Sequence, residues 1–193
     1  MADPEKIARL KAALEAYRPG SGLIDHAREE AKSPVRKRAL GLLDQRARSR
    51  EELLGRLIKA EFETALVDEV LDDLAASGLI NDTAFASEWV RQRAARRGKS
   101  ARALDMELRD KGVGSADRAA ALEQITDDEE RIARGVAEKA ARKVKRAPED
   151  RAEYDKFLRR IVGALARRGF NQGLAMRLGR EALDERIAEC ESA

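Results

Sequence analysis

One cysteine, Cys190, in 193 residues rules out a disulfide framework and any zinc site built on paired thiolates. One histidine, His26, rules out a metal site built on a histidine pair. Aromatic residues make up only 4% of the chain, short of what a base-stacking single-strand binder or a carbohydrate binder needs. No apolar run approaches the ~18 residues of a membrane span, and the N-terminus lacks a basic-then-apolar signal pattern. These absences lead us to expect a soluble, reduced, cytoplasmic protein that holds no metal and no cofactor.

What is present favours helices. Charged residues contribute 39% and apolar residues 43%, with only 4 prolines and 13 glycines as punctuation. Ala, Leu, Arg, Glu and Lys fill most of the chain, and they lose little rotamer freedom in a helix. Apolar residues recur at helical spacing: Leu53, Leu54, Leu57 and Ile58; Val67, Val70, Leu71 and Leu74; Phe157, Leu158, Ile161, Val162 and Leu165. No period-2 alternation supports a strand. Ser49-Arg50-Glu51-Glu52 has the form of a capping box, and Gly78, Gly112 and Gly169 stand where a left-handed stop is wanted. The fold class is all-α.

A skeleton recurs three times. Leu53 and Leu57 precede Glu61-Phe62; Leu104 and Leu108 precede Gly112-Val113; Ile161 and Leu165 precede Gly169-Phe170. Each unit is too small to bury much alone, so neighbours should lean on one another as three tandem three-helix repeats. The polar, proline-bearing insertion 145–150 accounts for the longer second interval. The expected organisation is an N-terminal helix and flexible joint over 1–33 and repeats over 34–79, 80–125 and 126–186. A tail covers 187–193. Ile7, Leu10, Leu14 and Tyr17 mark the first helix, and Ser33-Pro34 marks the boundary after the joint. His26 reads as a solvated side chain.

Charges are segregated in blocks. Between Lys59 and Arg91 there are acids only, among them Glu69, Asp72 and Asp73; from Arg91 to Arg102 the sign inverts, with Arg96, Arg97 and Lys99. Glu123 to Glu130 is acidic again, and Arg131 to Arg146 is basic with one acid, Glu138. Two readings stay open: helices of opposite sign pair within the fold, or the blocks meet a partner that carries both charges or a polyanion on one side. Arg93 falls on the apolar face with Phe85, Ala86, Trp89 and Val90, so its stem should pack and its head should pair with an upstream acid. Arg91 points the other way.

Familiar catalytic and binding motifs fail. Gly98-Lys99-Ser100 resembles the end of a phosphate loop, but Arg93 stands where its first glycine belongs and no strand leads in. Ser100 instead suits a helix cap. The helix over 101–111 offers Arg102 but also Asp105, Glu107 and Asp110, which phosphates would repel, so sequence-specific DNA reading by a helix-turn-helix is disfavoured. Neither a His–carboxylate pair nor a nucleophile elbow is present, and Cys190 lies between Glu189 and Glu191. The chain does not read as an enzyme.

The run Gly78-Leu79-Ile80-Asn81-Asp82-Thr83-Ala84-Phe85-Ala86-Ser87-Glu88-Trp89-Val90-Arg91-Gln92-Arg93 closely resembles the segment that joins the first two repeats of the RecX family. Arg46-Ala47-Arg48-Ser49-Arg50-Glu51-Glu52-Leu53, Glu107-Leu108-Arg109-Asp110-Lys111-Gly112-Val113 and Ala166-Arg167-Arg168-Gly169-Phe170 are similar to its repeat entry and turns. The resemblance spans 36–185. It departs at Glu61, where the family usually has glycine, and at the insertion 145–150. The resemblance implies an elongated row of three-helix repeats acting as a monomer in the groove of the RecA–single-stranded-DNA filament. There it would inhibit ATP hydrolysis, strand exchange and co-protease activity, with a bearing on recombination, DNA repair and the SOS response. Weak direct contact with DNA is allowed. Arg91, Arg96, Arg97, Lys99 and Arg102 would make the central contacts, Arg167 and Arg168 those of the third unit, and Asp72 and Asp73 would face basic patches of RecA. The alternative is a non-specific nucleic-acid-binding protein acting without RecA.

Overall fold

The computed structural model describes residues 26–192, and among these there are nine helices and no strand. They are α1 (His26–Gln45), α2 (Arg50–Ile58), α3 (Thr64–Ala76), α4 (Asp82–Arg97), α5 (Ala101–Asp110), α6 (Ser115–Thr126), α7 (Glu129–Ala141), α8 (Arg151–Ala166) and α9 (Gln172–Glu191). The expected first helix around Ile7 to Tyr17, and the joint after it, lie outside the described residues. The break expected at Ser33-Pro34 is absent, because Pro34 sits inside α1. Proline there removes one backbone bond and crowds the carbonyl four residues back. Burial of Val35, Ala39 and Leu42 on the same helix offsets that cost.

Two compact units divide the chain. One comprises the described residues up to Ala47 together with Leu53–Ser77. In it α1 packs on α3, and Leu57, Val67, Val70 and Leu71 are fully buried. The other comprises Arg48–Glu52 and the described residues from Gly78 onward. Its helices α4, α5 and α6 close on Phe85, Val90, Leu104, Leu108 and Val113, while α7, α8 and α9 close on Ala137, Ile161, Leu165, Phe170 and Leu178. Ile132 packs against both cores.

The three repeat turns share one geometry. Their turn residues all take positive φ: Glu61 at 64°, Gly112 at 70° and Gly169 at 89°. In each, the next amide donates to the carbonyl five residues back: Phe62 to Leu57 (3.4 Å), Val113 to Leu108 (3.1 Å) and Phe170 to Leu165 (3.4 Å). This is the Schellman closure, which satisfies a carbonyl left over at the helix end. Glu61 thus ends its helix by entering the left-handed region itself.

Within the second unit the turns also dock. Ser49 and Ser100 are fully buried, and each oxygen caps the helix it precedes, accepting from Glu52 N (3.2 Å) and Ala103 N (3.2 Å). Ser49 Oγ then donates to the Lys111 carbonyl (2.6 Å), and Ser100 N donates to the Arg168 carbonyl (2.9 Å). A Cβ at Gly112 would collide with the Glu51 side chain, and one at Gly169 would lie 2.6 Å from Ser100 Oγ. The insertion 145–150 is tied to the start of α8, where Glu153 accepts from Arg146 (2.7 Å) and from Glu149 N (3.0 Å).

Candidate functional site

The C-terminal end of α4, the outward face of α7 and the turn after α8 enclose a cleft of about 840 Å3. Gly98 makes the approach of α4 to α7 close: it takes φ 58°, and an added Cβ would lie 2.5 Å from a Val136 methyl. Arg168 fixes the far wall by donating to the Arg97 carbonyl (3.0 Å) and the Ala164 carbonyl (2.8 Å).

Eight cations line this cleft against one acid. The acid, Asp128, is engaged by Arg131 (2.7 Å), which lowers its carboxyl below the ordinary range. Arg91 is held by Glu88 (2.7 Å), whose carboxyl falls to about 2 under Arg91 and Gln92. Arg96, Arg97, Lys139, Lys143 and Arg167 are exposed, and their side chains form no ion pair or hydrogen bond with any described residue. A second depression of about 740 Å3 shares Ala140, Lys143, Ala164 and Arg167 with the first and adds Lys156, Arg159 and Arg160, with no acid. Beneath the charges the lining is aliphatic: Ala94, Ile132, Val136, Ala140 and Ala164. Concentrated, unneutralised positive charge over an apolar floor raises the local concentration of an anionic partner.

The acidic block answers the question the sequence left open differently. Asp73 accepts from Lys32 (3.4 Å) and Arg36 (2.9 Å), and Glu69 accepts from Arg28 Nε (3.0 Å). Helices of opposite sign therefore pair within the first unit. Asp72 is exposed on α3. Arg91, Arg96, Arg97, Arg167 and Arg168 come together at the cleft; Lys99 and Arg102 do not line it. Lys99 is half-buried against Glu107, and burial with the neighbouring Arg93 and Arg97 presses its ammonium below the usual lysine range. Arg93 stacks on the Trp89 ring 3.6 Å from its centroid, as its place on the apolar face requires, but its partner is the downstream Glu107 (3.4 Å) rather than an upstream acid. Glu107 also accepts from Trp89 Nε1 (2.9 Å), and Lys111 covers the ring at 4.7 Å.

Family models of the first and second RecX three-helix domains match residues 36–74 and 81–122. The chain is 58% identical over 191 residues to a regulatory protein RecX of Corynebacterium efficiens, covering 95% of this chain and 91% of that one. It is 41% identical to one of Mycobacterium avium, covering 84% and 90%. The chain belongs to the RecX family. It also shares the fold of the crystal structure of RecX from Lactobacillus salivarius, with a TM-score of 0.67 at 24% identity over 81% of this chain and 99% of that one. Sequence reasoning did not bring Lys139 and Lys143 to this cleft, and it left out Lys156, Arg159 and Arg160 of the second depression altogether. The available signal was a stripe of fourfold spacing, Arg131, Gly135, Lys139 and Lys143.

Proposed function

We propose that this RecX-family chain is a negative modulator of RecA that lodges in the groove of the RecA–single-stranded-DNA filament. There it inhibits ATP hydrolysis, strand exchange and co-protease activity. The observation that carries this reading is the cleft whose Arg96, Arg97, Lys139, Lys143 and Arg167 have no partner among the described residues, on a chain of the RecX family. A fold of this size gains nothing from crowding like charges unless an anionic surface relieves them. Arg91 and Arg168 border the contact, while Lys99 serves the Trp89 cluster. No helix among the described residues is long and apolar enough to cross a membrane, in keeping with a cytoplasmic partner.

The test is ATP hydrolysis by preformed RecA filaments, titrated with the protein well below one molecule per RecA. We expect inhibition at such substoichiometric levels, raised at least tenfold in half-inhibiting concentration when the five cations are replaced by Ala. Circular dichroism should show unchanged helicity. Inhibition that appears only at amounts sufficient to coat the DNA, with an affinity for naked DNA that falls steeply with salt, would favour the non-specific nucleic-acid-binding alternative.

A further inference from the structure

The cleft is more than a patch of charge. Its floor is aliphatic, built from Ala94, Ile132, Val136, Ala140 and Ala164, and its cations rise from the rim on both sides. A single strand of nucleic acid wants aromatic platforms on which bases stack, and this lining offers none. An amphipathic helix has the complementary chemistry, because its apolar stripe can cover an aliphatic floor while flanking carboxylates reach cations on the rim. Lys139 near the end of α7 and Lys143 in the turn that follows both line the cleft, where carboxylates at positions i and i+4 of a facing helix could meet them. Gly135, on the same face, is exposed, with nothing within 4 Å of an added Cβ, so a partner's side chain has room beside it.

We infer that the cleft seats an acidic amphipathic helix of a protein partner, rather than the phosphates of nucleic acid. The inference rests on the proposed role at the recombinase filament and assigns the contact there to protein. Apolar residues of the docked helix lie on Val136 and Ala140, and its carboxylates pair with Arg96, Arg97, Lys139 and Arg167. Arg168, already bonded to two backbone carbonyls, holds the cleft open without spending its charge on the partner.

Gly135→Trp separates the two occupants. The substitution removes a helix-weakening glycine from an exposed site, so folding is not at risk. An indole there fills the floor against a helix but offers a stacking platform to a single strand. We expect Gly135→Trp to raise the half-inhibiting concentration in the filament ATPase titration at least tenfold, with an unchanged melting curve. In parallel, p-benzoylphenylalanine placed at the exposed Ala95 is irradiated in the presence of filaments, and its adducts are mapped by mass spectrometry. Adducts on a protein segment with acids spaced three or four apart support the docking. Adducts on DNA, or a Gly135→Trp protein that inhibits as well as or better than the wild type, overturn it. Absence of inhibition by the wild type is read in a separate arm: it removes the functional reading, and this inference with it.

Discussion

Glu61 occupies a backbone position that Gly112 and Gly169 fill in the other two turns, and it does so with a side chain that pushes against the left-handed region. That conformation costs a residue with a Cβ about 1–2 kcal/mol, while glycine gives back about 0.5–1 kcal/mol in chain entropy. Glu61→Gly is therefore expected to stabilise the protein by up to about 1 kcal/mol, or about 2–4 °C in Tm; a fall in Tm would show that the glutamate side chain earns its place by contacts. The glycines themselves divide into two kinds. Gly78 is at φ 76° with open space around its missing Cβ, so Gly78→Ala carries only the conformational cost of about 1–2 kcal/mol. At Gly169 the same methyl also meets Ser100 Oγ and, at 2.7 Å, Ala103 Cβ. Adding the cost of overpacking brings Gly169→Ala to about 2–5 kcal/mol. Paired denaturation curves of the two variants check this, since equal losses would mean that the turn does not dock.

At the scale of elements, α4, α5 and the turn at 111 are bound through Trp89 and Glu107. Removing the carboxylate leaves Arg93 and Lys99 facing each other and the indole N–H without its acceptor. Glu107→Ala is expected to destabilise by about 1–3 kcal/mol. The emission of Trp89, the sole tryptophan, should shift to the red as Arg93 and Lys111 release its faces. Unchanged emission would place the cluster outside the folding energetics. These elements were largely legible in the sequence, because two apolar residues four apart, a turn residue four later and an apolar anchor specify a helix end and its closure locally. The site was legible only in part. Arg96 and Arg97 share a helix end with Arg91, whereas Lys99 and Arg102 follow Gly98, whose left-handed φ of 58° turns the chain. Helical periodicity cannot be carried across such a residue, so one run of cations in the sequence becomes two groups in space. Pro34 misled for the opposite reason: buried tertiary packing overrode a local breaker.

For the whole molecule, 39 basic and 36 acidic residues leave a formal charge of +3, and that near balance conceals two opposite solutions. Glu69 and Asp73 of α3 are neutralised inside their own unit, by Arg28, Lys32 and Arg36 of α1. Five cations of the cleft, Arg96, Arg97, Lys139, Lys143 and Arg167, pair with no described residue. Acid should therefore cost stability where carboxylates are committed to ion pairs. Hydrogen bonds from Arg28 and then Lys32 hold the Glu69 carboxyl down to about 2, from an ordinary value of 4.5. A lowered carboxyl stabilises the fold fully above the unfolded value, and that contribution fades as pH falls from 4.5 towards 2. Glu69→Gln removes it at every pH. The difference in Tm between wild type and variant, followed by circular dichroism at constant ionic strength, should be largest near neutrality and shrink across that acid window. It should also shrink in high salt, because Arg28 is solvent-exposed and Glu69 partly so, which leaves their pair open to screening. A difference that persists undiminished at low pH would mean that the charge of Glu69, and with it the ion pair to Arg28, is not what the substitution removes.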